Sequence, residues 1–140
     1  MKKIIKTITG ESFGKYGYII AHNHSGSEDN QTVLNEYTST GWKMATLRIA
    51  DKEFRSISLH PNSVESFEPL TGIALLLVST SDNCDDYEIF LLDKPICLYR
   101  NIWHGVCALS EYAVVKLVEN IDVVVEKKEL PKAVKIVAMD

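Results

Sequence analysis

A chain of 140 residues with 46% hydrophobic and 24% charged residues is one domain's worth, long enough to bury its own core, and this composition excludes global disorder. A net charge of -4 and a pI near 5.6, with no basic stripe, exclude a phosphate-binding surface, so nucleic acid is not an expected partner. The charged start, Met1 to Lys6, carries no apolar stretch of signal-peptide length, and the longest apolar run, Ile73 to Val78, is far too short to span a bilayer. No membrane partner is expected. Cys84, Cys97 and Cys107 form neither an even framework nor a Cys-x-x-Cys pair, which reads as free thiols in a reducing cytoplasm.

In chain order, Lys3 to Ile8 is a first β-branched run. Thr9 is placed to cap one helical turn through Ser12 and Phe13, with Gly17 able to end it. Tyr18 to Ala21 reads as a strand, and the polar stretch His22 to Gln31 as an exposed loop. Strands are then predicted over Val33 to Thr38, Trp42 to Ile49, Phe54 to His60, Val64 to Glu68, Ile73 to Thr80, Tyr87 to Leu92, Ile96 to Arg100, Trp103 to Ala108, Ala113 to Val118 and Ile121 to Glu126. The tail from Leu130 reads either as a closing strand or as a short helix. Many short strands with frequent turns, and no long helix-period segment between them, favour a sandwich or barrel over a βαβ fold. No linker or repeat divides the chain, so 1–140 is read as a single domain.

Strand parity places the polar groups. Phe54, Ser56, Ser58 and His60 share one face of an extended segment, and Arg55, Ile57 and Leu59 share the other. Glu65 aligns with Phe67, and His104 with Val106 and Ala108. If the faces bearing His60, Glu65 and His104 turn inward, three polar groups converge among apolar walls, as in a small-molecule pocket. Their donors suit a divalent metal with open positions for substrate. The alternative is a pair of hydrogen-bonded barrel histidines with Glu65 as their partner.

Ser58, Tyr99 and Arg100 are candidate substrate-binding residues, the guanidinium being suited to a carboxylate. Adjacent strand residues face opposite ways, so at most one of Tyr99 and Arg100 enters the pocket, and Tyr99, in parity with Cys97, is the inward choice. His22-Asn23-His24 lies in a Ser-, Asn- and Asp-rich stretch better read as a loop than as a metal site. Trp42 and Trp103 read as core or interface residues. Cys84 sits in an acidic loop that raises a thiol pKa, and Cys97 and Cys107 read as buried.

Ser58-Leu59-His60, four residues and then Glu65 resemble the first motif of the cupin superfamily, His-x-His followed by Glu, with Ser58 in place of its first His. Tyr99 to His104 keeps the spacing and final His of the second motif but neither its Pro nor its Gly. Within the cupins the chain resembles ureidoglycolate lyase through three blocks in the same order. These are Ile8 to Gly17, His60-Pro61 through Phe67-Glu68-Pro69-Leu70, and Arg100-Asn101-Ile102-Trp103-His104. Departures are Leu59 where that family typically has Arg, Glu65 where it has Gln, and Tyr99 and Gly105 where it has His.

The resemblance implies an all-β, cupin-like double-stranded β-helix (jelly-roll) barrel, a homodimer, and a small-molecule substrate of the hydroxy- or keto-acid class. The resembled reaction, which belongs to allantoin degradation, splits ureidoglycolate into glyoxylate and urea and does not itself require a metal. Glu65 would serve as base, with His60 or His104 as the acid and orienting groups. Apolar outward residues such as Ile57 and Leu59 would also need covering by a partner. The second reading is a non-catalytic small-molecule-binding cupin. An inward Arg48, Arg55 or Arg100 would favour an anionic substrate; if none points into the pocket, binding of a neutral ligand gains.

Overall fold

Short β-branched and aromatic runs, each cut by a turn, set the architecture. The computed structural model describes residues 2–23, 25–26, 29–37, 41–82 and 86–138. Its elements are β1 (Ile5–Lys6), α1 (Gly10–Phe13), β2 (Gly17–Ile19), β3 (Trp42–Ile49), β4 (Glu53–Leu59), β5 (Glu65–Thr71), β6 (Ala74–Ser79), β7 (Glu88–Leu92), β8 (Ile96–Leu98), β9 (Trp103–Ala108), β10 (Ala113–Asn120) and β11 (Glu126–Lys135). One sheet has the order β1-β7-β6-β9-β4-β11, the other β2-β8-β5-β10-β3. Successive strands from β3 to β6 alternate between the sheets, and every pairing is antiparallel except β1 with β7. That alternation across two sheets is the jelly-roll arrangement.

Strand β6 shows why the run after Ile73 is continuously apolar. Leu76 and Val78 join the core between the sheets with Phe13, Phe67, Phe90 and Val115. Leu75 and Leu77, on the opposite face, join a second core with Phe54, Ile57, Leu59 and Trp103. A strand buried on both faces has no polar alternation to display.

The second core corrects one expectation. Ile57 and Leu59 are buried within the chain, because Leu130, Val134 and Ile136 of the tail pack against their cluster. No partner subunit is needed to cover them. The tail is a strand: β11 pairs with β4 at the sheet edge, and its register shifts between Glu129 and Val134, which accommodates Pro131. The strand expected over Ile121 to Glu126 is a turn that leads into β11, and residues 33–37 form no strand. Thr38 lies outside the described residues.

Helix α1 follows the capping logic of its sequence. The Ser12 amide donates to Thr9 Oγ1 at 3.0 Å and the Thr9 amide donates to Ser12 Oγ at 2.9 Å, a reciprocal capping box. Phe13 is thereby fixed in the core, edge-on to Phe90.

Beside it, Glu88 accepts hydrogen bonds from Lys6 and the Tyr16 hydroxyl, with Lys15 at 3.4 Å. Burial alone would raise the Glu88 pKa, but those two hydrogen bonds and the charges of Lys15 and Lys6 outweigh it and hold it down to about 2 from 4.5. A depressed carboxyl pKa contributes stability in full above the unfolded value, and loses it as pH falls toward the folded one. Acid denaturation of Glu88→Gln is therefore expected to show a shallower stability loss than wild type between pH 4.5 and about 2. Equal slopes in that window would contradict the assignment.

Candidate functional site

The walls of the site come from both sheets. Ser58 on β4 pairs directly with His104 on β9, so Ser58, His60 and His104 share the inner face of the six-stranded sheet. Glu65 opens β5 in the facing sheet. Two devices bring the strand ends together. The amide of Asn101, a left-handed residue at φ 65°, donates to the His60 carbonyl at 3.0 Å and ties the turn between β8 and β9 to the end of β4. Asn62 accepts from the Val124 amide through Oδ1 and donates to the Asp122 carbonyl through Nδ2, locking the Pro61–Val64 turn to the segment after β10. Gly105 completes the approach, since a Cβ there would lie 2.8 Å from the Ser56 carbonyl.

His60 Nε2 and His104 Nε2 lie 3.2 Å and 2.9 Å from the same atom, Glu65 Oε1, and all three residues are buried. Each imidazole is held from behind. His60 Nδ1 lies 3.1 Å from the Val124 carbonyl and His104 Nδ1 lies 2.9 Å from the Ile102 carbonyl. A carbonyl only accepts, so each Nδ1 carries the proton, and a neutral ring then presents a bare lone pair at Nε2. Three acceptor atoms converge on one point. Positive charge must enter there, either as protons on the rings or as a cation.

The donor set fits a divalent metal. Ligands about 2.1 Å from one ion stand about 3.0–3.4 Å apart at angles between octahedral and tetrahedral, close to the two spacings observed. Carbonyl-anchored Nδ1 atoms are also the usual means of orienting metal-binding imidazoles.

Glu119 on β10 adds a second carboxyl. It pairs across the ladder with Glu65, is buried, and has Oε1 3.9 Å from His60 Nε2. For Glu65, burial is outweighed by hydrogen bonds and charge from His104 and His60, and its pKa falls well below the carboxylate range. Burial and the Glu65 charge push Glu119 the other way, upward. For His60, burial opposes the charged ring, but the hydrogen bond and charge of Glu65, then the Val124 carbonyl and Glu119, raise its pKa.

These groups line a cavity of about 360 Å³. Ser56, Ser58, Lys43 and Asp51 add polar groups to its wall, and Leu47, Phe67, Val106, Leu117, Val123 and Val125 the apolar part. Phe67 meets the His104 ring edge-on at 5.9 Å.

Tyr99 and Arg100 are not part of this wall, which corrects the inward placement of Tyr99. Strand β8 ends at Leu98, so strand parity does not extend to them. The Tyr99 amide donates to Tyr16, its hydroxyl donates to the Gly14 carbonyl at 2.9 Å, and its ring packs on Tyr18. Arg100 pairs with Glu36. Arg48 lies over the Tyr112 ring and Arg55 pairs with Glu53 at 2.7 Å, so none of the three arginines lines the cavity. Lys43 does.

Trp103 is buried, whereas Trp42 is 65% exposed on β3. Cys97 and Cys107 are buried, and burial chiefly pushes their thiols up to about 11 and about 12. His24 and Cys84 lie outside the described residues, and His22 is exposed. Glu119 and Lys43 were missed in the sequence. The signal for Glu119 is its parity with Val115 and Leu117, which shows only when the strand extends beyond Val118 to Asn120.

Two curled sheets enclosing a cavity with histidine and carboxylate walls define a cupin-like jelly roll. Among solved structures, a dTDP sugar isomerase from Desulfovibrio desulfuricans G20 is similar at a TM-score of 0.51 and 11% identity, covering 83% of this chain and 80% of that one. RmlC from Streptococcus suis, solved with dTDP-D-xylose, has a TM-score of 0.47 and 14% identity over 57% of this chain and 44% of its own. Oxalate decarboxylase from Bacillus subtilis has a TM-score of 0.47 and 18% identity over 64% of this chain and 24% of its own. The chain thus spans less than half the length of the latter two, and at these identities the likeness is one of fold. No protein-family model and no curated protein matches the sequence. Among the described residues no helix is long and apolar enough to cross a membrane.

Proposed function

We propose that the cavity is the active site of a cupin-type enzyme for a small oxygenated acid, in which His60, Glu65 and His104 hold a divalent cation. The observation that carries this reading is the convergence of two carbonyl-anchored imidazoles on one carboxylate oxygen. A bound dication would polarise a substrate oxygen as a Lewis acid. The chain's own residues would do the positioning. Ser56 and Ser58 offer hydroxyls, Lys43 a cation for an anionic group, and Phe67 and Leu117 an apolar wall that excludes water.

Ureidoglycolate is the first candidate substrate, because three blocks of the sequence resemble the lyase that splits it. A homodimer belongs to the same reading, supported by exposed Trp42 and Met44 on the edge strand β3.

The test is direct. Protein dialysed against Mn(II), Fe(II), Ni(II) or Zn(II) is expected to retain about one ion per chain by elemental analysis, and to release glyoxylate and urea from ureidoglycolate until the ion is chelated. Protein that retains no ion overturns the cation assignment. Retention and acid binding without turnover would favour the binding-module reading, for which the outward Arg48, Arg55 and Arg100 favour a neutral ligand.

A further inference from the structure

The cavity is longer than the cation position needs. Its wall runs from His60, just past β4, back to Ser56 on that strand, and from Lys43 to Leu47 on β3. Each pair stands four residues apart along an extended chain, a span of about 13 Å. Asp51, in the turn between β3 and β4, marks the far end. Its carbonyl accepts from the Ala108 amide at 2.8 Å, and Ala108 lies four residues along β9 from His104. By this second route too, the Asp51 end stands about 13 Å from the histidines.

The two long walls differ in chemistry. Ser58 and Ser56 follow one another on the inner face of β4, about 7 Å apart. Both are half-buried and line the cavity, and neither hydroxyl has a hydrogen-bond partner among the described residues. The facing sheet offers Leu47, Leu117 and Phe67. A hydroxyl both donates and accepts, whereas a carboxylate such as that of Asp51 only accepts. The matching ligand therefore carries groups that donate and accept along one edge, C–H along the other, and a donor at its tip.

Resting on the cation reading above, we propose that the substrate is an extended polyhydroxy acid. Its acid head meets the cation and Lys43, successive hydroxyls meet Ser58 and Ser56, and a terminal hydroxyl donates to Asp51. The C–H edge lies on Leu47, Leu117 and Phe67. An apolar chain in the same place would strip water from both serine hydroxyls and return no hydrogen bond, which is costly. A molecule as small as ureidoglycolate fills only the cation end.

The full chain, saturated with Zn(II), is titrated by calorimetry with glycolate, 2-hydroxyhexanoate and gluconate. All three share the α-hydroxy acid head; the second adds an apolar chain and the third a hydroxylated chain of equal length. Gluconate is expected to bind at least about tenfold more tightly than either, the scale of two or three modest hydrogen bonds. Ser56→Ala and Asp51→Asn, each checked for wild-type circular dichroism, are expected to weaken gluconate by about 3–10-fold and glycolate, which reaches neither residue, by less than about twofold.

Gluconate no tighter than glycolate would deny the extended reach, and 2-hydroxyhexanoate as tight as gluconate would deny the hydroxyl match; either overturns the proposal. So does an equal loss for gluconate and glycolate in the two variants, or no loss for either ligand. None of these outcomes touches the cation reading, which fails instead if the wild-type chain retains no Zn(II). Gluconate is then titrated into the ion-free chain. Binding that still falls in Ser56→Ala and Asp51→Asn would preserve the extended subsite, and no binding would remove it together with the cation.

Discussion

Glu65→Gln is expected to lower turnover at the cavity by at least about a hundredfold, since loss of even outer-shell partners of a metal site costs about 10–100-fold. Glu65 Oε1 is the single atom on which His60 Nε2 and His104 Nε2 both converge. An amide keeps the size of the side chain and removes its charge, so the attraction at the meeting point is lost without a change of volume. The rings stay anchored by Val124 and Ile102, and substrate affinity through groups such as Lys43 and Ser58 should change much less. Steady-state kinetics with ureidoglycolate check this through the split between kcat and KM. The resembled lyases typically carry glutamine at this place. Turnover that survives in Glu65→Gln would therefore transfer the chemistry to His60 and His104 and remove Glu65 from it.

The inner faces of β4 and β9 were legible in the sequence because period-two parity needs only that the segment be extended. Ser58, His60 and His104 follow from it directly, and the spacing to Glu65 brings in the facing sheet. Parity failed where a strand ended earlier or later than its propensity suggested. β8 stops at Leu98, shortly before the turn through left-handed Asn101, and the Tyr99 hydroxyl is drawn to the Gly14 carbonyl, a contact across more than eighty positions that no local pattern carries. β10 runs on past Val118 through Glu119, paired with Glu65, and Asn120, whose amide donates to Ser63 Oγ and whose side chain donates to the Asn62 carbonyl.

The second core was hidden for a related reason. Ile57 and Leu59 look like a subunit interface until the tail, with its lysines, glutamate and Pro131, is known to be a strand. Its apolar residues Leu130, Val134 and Ile136 do share one parity, but Pro131 and the register shift between Glu129 and Val134 interrupt the run that would read as a strand.

Phe90→Ala is expected to destabilise the protein by about 3–5 kcal/mol, the range for truncating a buried phenylalanine. That is a large share of the roughly 5–15 kcal/mol typical of a domain. Phe90 has no exposed surface and sits edge-on to Phe13 at 5.1 Å and to Tyr16 at 5.8 Å. Its loss removes the ring that holds α1 against the six-stranded sheet, so a collapse that fills the void would have to unseat the Thr9–Ser12 cap as well. Phe90 does not line the cavity, which separates stability from function. Denaturant melts should show the full loss, while Mn(II) affinity of the folded variant at low temperature should match wild type. A loss below about 1 kcal/mol, well under the range for such truncations, would mean that the aromatic cluster is not what closes this end of the two sheets. Weakened ion binding in the folded variant would mean that the cluster and the His60–Glu65–His104 group move as one unit, linked through Phe67, which belongs to the same core and touches the His104 ring.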